Sequence, residues 1–392
     1  MHKRWTFLLL VILLLAACGT QQPATNDDPA KLAWNDVAAQ ARGTTVNMHM
    51  WGGDQAINRY MSEWVAARLK TEHNVTLQIT PLGDTTEAVN KLVGEKTANK
   101  QTGGTIDVVW VNGENFRTLR QGDLLYGPWA QQLPSAELIP WSDPSIANDF
   151  GYPVDGYEAP WGRAQWVMIY DSARVPEPPR SWDALLQWAK ANPGRFTYPA
   201  PSDFSGSAFV RQAFFAQVDD PQQLQGAFNE AVYTAAAPNV WQYFNALKPF
   251  MWRNGETFPQ NVDQLNQLFA NGEVDFAMNY NPVFASGAVE RGEFPATTRT
   301  YQLQGGTLAN THYLAVPFNA ANKAGALVVA DLLQSPAAQL EKAKPSTWGD
   351  VPVVDITKLE AADRAAFAAL PLGEATLPLA ELANNALPEL QG

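Results

Sequence analysis

The sequence predicts an α/β fold of two lobes joined by crossing strands, with a ligand cleft between them. Strand-like segments alternate with amphipathic helical ones from Thr44 onward, separated by short polar turns. The stretch from Ala159 to Leu186 reads as a buried strand, a Pro-rich loop and a helix start in direct succession, which suits a passage from one lobe to the other. A chain of 392 residues with 46% apolar residues and 14 Trp exceeds a usual single domain and can fill two cores.

At the N-terminus His2, Lys3 and Arg4 form a positive segment, Trp5 to Leu15 is an apolar run too short to span a bilayer comfortably, and Leu15-Ala16-Ala17-Cys18 closes it. This pattern resembles a lipobox. It implies a signal peptide over residues 1–17, a lipid on Cys18 and a tether over residues 18–43 that is polar and carries Pro23 and Pro29. An ordinary secretory signal with a buried Cys is the alternative. Cys18 is the only Cys, so no disulfide forms within the chain. Cleavage takes 17 residues from 392 and leaves 375; losing Lys3 and Arg4 moves the formal charge from −12 to −14. Such a charge disfavours nucleic acid or an anionic lipid surface as the main partner.

Thr44 to Trp51 alternates as a first strand, and Gly52-Gly53-Asp54 breaks it before a helical pattern of Ile57, Tyr60, Met61, Trp64, Val65 and Leu69. Val75 to Thr80 is a second strand, and Asp84 can cap a helix carrying Ala88, Val89, Leu92 and Val93. Ile106 to Val111 is a third, continuously apolar as a parallel strand covered on both faces would be, with Asn112-Gly113-Glu114 leading into the next helix. Parallel pairing places these three turns at the carboxyl ends of strands, where open α/β sheets bind ligands. Residues 128–160 are rich in Pro, Trp and Gly and are expected to be irregular.

Gln165 to Tyr170 is the crossing strand, and Ser181 caps the helix of Trp182, Leu185, Leu186 and Ala189. Arg195 to Tyr198 is a further candidate strand. Pro199 to Ser207 leads into a helix from Ala208 to Val218, whose first amides could bind an anion. Val240 to Trp252 is helical, and Asn271 to Pro282 reads as helix end, strand and turn. Thr307 to Phe318 is the return strand, Asn322 to Leu333 and Ser335-Pro336 start helices, and the segment after Pro345 is expected to dock on the second lobe and end in a Leu- and Ala-rich helix. The lobes are thus expected over residues 44–164 plus 307–344 and residues 165–306 plus 345–392, each sheet with parallel pairing. Crossings near Trp166 and Gly305-Gly306 would serve as hinges.

The crossing strand, the loop with Pro176, Pro178 and Pro179, and the Ser181-Trp182-Asp183 helix start resemble a signature of bacterial extracellular solute-binding proteins. From Thr44 to Val354 the order of features resembles the periplasmic binding components of ABC importers, of the class II fold and the bacterial family 1 type. Four matches resemble the thiamine-binding branch, related to iron and polyamine binders. They are Gly83-Asp84, Ser205 to Ser207, Asn310-Thr311-His312-Tyr313-Leu314, and Ser346-Thr347-Trp348 followed by Val351-Pro352-Val353. No adjacent tyrosine pair occurs, which argues against the ferric-ion binders.

The resemblance implies a monomeric, exported, lipid-anchored protein of the periplasm or cell surface. Such a protein holds a thiamine-like or polyamine-like cation between its lobes and delivers it to an inner-membrane ABC permease, with no cofactor, metal or catalytic residue. Position by position it implies binding roles for Trp51 and Asp54, Asp84, Ser205, Gly206 and Ser207, Trp241, Tyr280 and Trp348. Turn positions add Gly53, Asn112, Glu114, Asp203 and Asn281, while Trp161 and Arg163 stand just before the crossing strand. Trp51 with Gly52-Gly53 makes a bulkier ring and a more open turn than the thiamine binders carry. Plain roles stand beside these: core packing for Trp241 and Trp348, and helix capping for Asp54, Asp84 and Asp203. Carboxylates and rings together suit a cation.

Enzyme chemistry lacks parts. His49, His73 and His312 are isolated, and no HExxH, Cys-x-x-Cys, Gly-x-Ser-x-Gly or Gly-Lys-Ser motif is present. The remaining alternatives are a sugar- or oligosaccharide-binding protein of the same fold, a cleft glycosidase using Glu114 and Asp203 as acid and base, and an interaction lipoprotein with a vestigial cleft.

Overall fold

A computed structural model describes residues 28–391; the expected signal peptide and Cys18 lie outside them. Three apolar segments bounded by polar turns form β1 (Thr45–Trp51), β2 (Thr76–Leu82) and β3 (Val108–Val111). They pair in parallel with β1 in the middle. Residues 128–157 hold 3-10 turns, a short helix and the two-residue hairpin of β4 (Asn148–Asp149) and β5 (Tyr152–Pro153).

The crossing strand is two strands. β6 (Glu158–Gln165) and β7 (Val167–Asp171) are separated at Trp166, whose N–H donates 2.8 Å to the Leu308 carbonyl, while the Gln165 N–H donates 2.8 Å to that of Tyr280. The remaining strands are β8 (Phe276–Asn279), β9 (Thr298–Tyr301), β10 (Thr307–Ala315) and β11 (Ala386–Pro388). The first-lobe sheet runs β6-β10-β3-β1-β2, with β10 antiparallel to both neighbours and β11 parallel beside its start.

The second-lobe sheet is β8-β7-β9 and wholly antiparallel, against the parallel pairing expected there. The helix Phe284–Glu290 carries the chain from β8 to β9, which run in the same direction, and β7 slots between them. Around this sheet Phe209, on the helix Phe204–Phe215, meets Trp166, Trp182, Phe196, Tyr198 and Phe244. Each buried aromatic contributes a few kcal/mol by leaving water. The candidate strand at Arg195 to Tyr198 is absent, because Arg195 and Phe196 each accept one backbone bond from a loop, at Asp275 and Trp252, instead of joining a ladder.

Two further expectations change. Trp34–Ala41 is a helix with Val37 and Ala41 buried in the first-lobe core, so the tether expected over residues 18–43 ends before it. After Pro345 the chain docks first on the first lobe, where Val353, Val354, Leu359 and Phe367 pack with Ile139 and Ile146. It rejoins the second lobe at Ala375 and continues into the helix Leu379–Asn384 and β11, which pairs with the start of β10 in the first-lobe sheet while Leu387 and Leu390 pack on the second-lobe core. Apolar runs show that a segment is buried but not against which lobe, which is why this division was invisible in the sequence. The chain therefore passes between lobes at Gln165–Trp166, between Tyr301 and Thr307, and between Leu370 and Ala375.

Candidate functional site

One cavity lies between the lobes, at the carboxyl ends of β1, β2 and β3. From the first lobe it takes Trp51 and Asp54, Asp84 and Thr85, Trp110, Asn112 and Asn115; from the crossings, Asn310 and His312; from the segment after Pro345, Trp348 and Asp350. The second lobe supplies Asp203, Phe204, Ser205, Val262, Asn279, Tyr280 and Asn281.

Local sequence explains these placements. Asp54 caps the helix Gln55–Arg59 through Oδ1, which accepts the Ala56 and Ile57 amides at 2.7 and 3.1 Å. Asp84 accepts the Thr86 amide at 2.7 Å. Asp203 accepts the Ser205 and Gly206 amides at 2.8 and 3.1 Å and the Val262 amide at 3.3 Å; burial raises its pKa, against the lowering effect of those bonds. Capping and cleft lining thus coincide at Asp54 and Asp203, while Asp84 stands one residue before Thr85, the N-cap of the helix Thr86–Thr97. Asn281 donates 2.7 Å to the Trp348 carbonyl and ties the second-lobe turn to the first-lobe segment.

The aromatic wall is Trp51, Trp110, Trp348 and His312. Trp110 stands edge-on to Trp51 at 6.4 Å, and His312 stacks on Trp348 at 6.0 Å with an 18° interplanar angle. Behind it Trp161 is fully buried, edge-on to Trp110 at 5.0 Å and 5.3 Å from Trp348. A buried charge pair backs the wall: Asp350 Oδ2 accepts from Lys342 Nζ at 2.6 Å, Asp350 Oδ1 lies 3.2 Å from His312 Nε2, and Lys342 also donates to the Trp161 carbonyl. Gly162 is required here, since a Cβ at that position would lie 2.0 Å from Asp350 Oδ2 and 2.8 Å from Lys342 Nζ. Asn310, 8% exposed, has both amide atoms buried without a partner among the described residues. Unmade hydrogen bonds at a cleft surface are ones a ligand can satisfy.

Asp54 of the first lobe and Asp203 of the second line the same cavity, and Asp263 joins Asp203 at its mouth. Burial first, then the charges of Asp54 and Asp203, push the Asp263 carboxyl up to about 6. Arg291, outside the lining, lies in the field of Asp54 and is bonded to Glu293.

Of the residues singled out in the sequence, Trp51, Asp54, Asp84, Asn112, Asp203, Ser205, Tyr280, Asn281 and Trp348 share this cavity, and Gly53 lines its mouth. The others stand elsewhere. Trp161 lies behind Trp110. Arg163 pairs with Asp143 at 2.9 Å, off the lining. Glu114 opens the helix Glu114–Gln121 on the exposed side, and the next residue, Asn115, faces the cavity instead. This removes the acid–base pair of Glu114 with Asp203. Gly206 packs on the Pro199 carbonyl, and Ser207 Oγ accepts from Arg211 at 2.6 Å. Trp241, 44% exposed, packs on Phe214 and Phe244 outside the cleft. The Ser205 and Gly206 amides are taken by Asp203 and the Ser207 amide by the Asp203 carbonyl at 2.8 Å, so the anion site expected there has no free donors.

Trp110, Asn279, Asn310, His312 and Asp350 were missed. The signal for two of them is alternation: Asn310 and His312 are polar residues two apart in an otherwise largely apolar strand paired on both sides, which marks a face that is not core.

The model of the bacterial extracellular solute-binding protein family matches residues 64–371. Protein YnjB of Escherichia coli (strain K12) is 40% identical over 326 residues, 83% of this chain and 84% of that protein. Among solved structures, a putative spermidine/putrescine ABC transporter from Listeria monocytogenes is similar at a TM-score of 0.60 and 14% identity, over 88% of this chain and 93% of that one. A periplasmic thiamin binding protein is similar at 0.55 and 19%, over 87% and 92%. At those identities the two structures show the fold alone, the α/β fold of periplasmic binding proteins. The family match is to family 8, where the sequence resemblance pointed to the family 1 type. The chain belongs to the bacterial extracellular solute-binding proteins and is a binding protein, not an enzyme.

Proposed function

We propose that the protein is the binding component of an ABC importer, which captures a small organic cation of the thiamine or polyamine kind between its lobes and hands it to a membrane permease. The observation that carries this is the lining, where Asp54 and Asp84 of the first lobe and Asp203 of the second share the cavity and Asp263 joins Asp203 at its mouth, while among the described residues no Lys or Arg side chain lines it. Carboxylates on opposing lobes repel as the gap narrows. A cation between them turns that repulsion into attraction and so favours closure on cargo. Trp51, Trp110 and Trp348 offer rings to a flat or cationic group.

Titration calorimetry against thiamine, its phosphates, spermidine and malto-oligosaccharides tests this. A bound cation favours ionised Asp263, so its affinity is expected to hold at pH 7 and to fall as pH drops below about 6, where that carboxyl protonates. A neutral ligand would not follow that profile. Tight oligosaccharide binding with no response to the cations would assign the cleft to sugars.

The mature chain is proposed to be held at the membrane by a lipid on Cys18, on the strength of Leu15-Ala16-Ala17-Cys18. Cys18→Ser should then appear as soluble or unprocessed protein. Membrane recovery of that variant at unchanged mass would remove the anchor.

A further inference from the structure

Residues 379–390 pack behind the second-lobe wall of the cleft. β11 pairs with Thr307 to Ala309 of β10, the Leu382 carbonyl accepts from Gln165 Nε2 at 2.8 Å, and Asn385 donates 3.2 Å to Gln302. The tail is thereby bound at two of the places where the chain changes lobe. It brings Glu389, whose side chain is 1% exposed, between Arg211 and Tyr280. Glu389 accepts from Arg211 Nε and an Nη at 3.3 Å and from the Tyr280 hydroxyl; Arg211 also donates 3.3 Å to that hydroxyl. Tyr280 and Phe204 both line the cavity, 4.8 Å apart, and the Arg211 guanidinium lies 5.5 Å from the Phe204 ring. Arg211 is thus one side chain away from the ligand space, the cation that would spoil an otherwise acidic wall.

We infer that Glu389 sets the charge selectivity of the cleft: it neutralises Arg211 and positions the Tyr280 hydroxyl, so that the second-lobe wall offers the ligand aromatic and acidic surface without a free cation. Without it the guanidinium is unpaired behind Tyr280 and attracts anions. The inference rests on the cleft being the cargo site proposed above and adds the residue that makes it favour cations.

The test uses the full mature chain as wild type, Glu389→Gln, Glu389→Asp and the double variant Arg211→Gln with Glu389→Gln. Thiamine and inorganic phosphate are the probes, followed by calorimetry and by tryptophan emission. Glu389→Gln should shift the thiamine-to-phosphate affinity ratio about tenfold toward phosphate, the size expected for one charge near the ligand. Glu389→Asp keeps the charge and should restore most of the wild-type ratio, which a purely structural role would not require. The double variant should lose the phosphate response. An unchanged ratio in folded Glu389→Gln, or a phosphate response that persists in the double variant, overturns the inference. If Glu389→Gln does not fold, Arg211→Gln against the double variant isolates the Glu389 charge: the single variant should bind thiamine more tightly, and equal affinities count against it. Failure of the wild type to bind thiamine strikes the cargo proposal alone; the inference is then read from phosphate affinity, which should rise in Glu389→Gln over wild type and fall back in the double variant, and an unchanged phosphate affinity overturns it.

Discussion

Lys342→Ala is expected to lower the stability of the protein by about 3–5 kcal/mol, the usual cost of stranding one member of a buried ion pair. Lys342 is fully buried, and its ammonium is spent on Asp350 and the Trp161 carbonyl while lying 5.3 Å from the Trp161 and Trp348 rings. Removing it leaves the 2%-exposed Asp350 facing Trp161 and His312 without its cation. The penalty belongs to the stranded charge, not to the pair as such, so Lys342→Met combined with Asp350→Asn should recover a large part of it. Urea unfolding followed at the tryptophans gives both values. A single variant with the wild-type midpoint would mean that the pair is not what holds the wall.

Trp51→Ala is expected to weaken cargo binding by about 2- to 30-fold, corresponding to a ring contact of about 0.5–2 kcal/mol. Trp51 is only half-buried and at the end of β1, so its loss should cost the fold less than loss of the buried Trp161. Gly53→Ala provides a check that keeps the indole. A Cβ at Gly53 would lie 2.4 Å from the Trp51 ring, so the ring must swing away while the backbone stays as it is. Affinity should fall in Gly53→Ala as in Trp51→Ala, with near-native melting. Wild-type affinity in Gly53→Ala, measured by calorimetry, would show that the ring's resting position is irrelevant to binding.

What the sequence made legible follows from where its signals come from. Strand-turn-helix units of the first lobe are written in local periodicity and in Gly and Asp at turns, and Trp51, Asp54, Asp84 and Asn112 were found because strand-end turns are the rule in such sheets. Tertiary placement is not local. Trp110 and Trp161 are both Trp in apolar strands, yet Trp110 faces the ligand space and Trp161 lies behind it, where the helices Lys323–Gln334 and Pro336–Ala343 pack on β6: Gln334 and Gln339 donate to the Pro160 and Trp161 carbonyls at 2.8 Å. Trp241 sits on a helix whose outer face its neighbours do not cover, which no spacing of apolar residues reveals. Lys342 and Asp350 are eight residues apart and meet only because the turn at Lys344 to Gly349 folds back, with the Gly349 amide donating 2.8 Å to the Lys342 carbonyl.

The place of β10 bears on the order in which the lobes can be completed. β3 and β6 share no hydrogen bonds; β10 lies between them and is antiparallel to both, although some 140 residues separate its first residue from the end of β6. All three strands of the second-lobe sheet lie within residues 167–301, ahead of β10 in the chain. A polypeptide that emerges N-terminus first can therefore finish the later lobe's sheet while the earlier lobe still has a bare edge at β3. The sheet begun first is thus joined up after the other, by a strand that has to come back across the gap, and long-range closure of this kind is the slow part of folding.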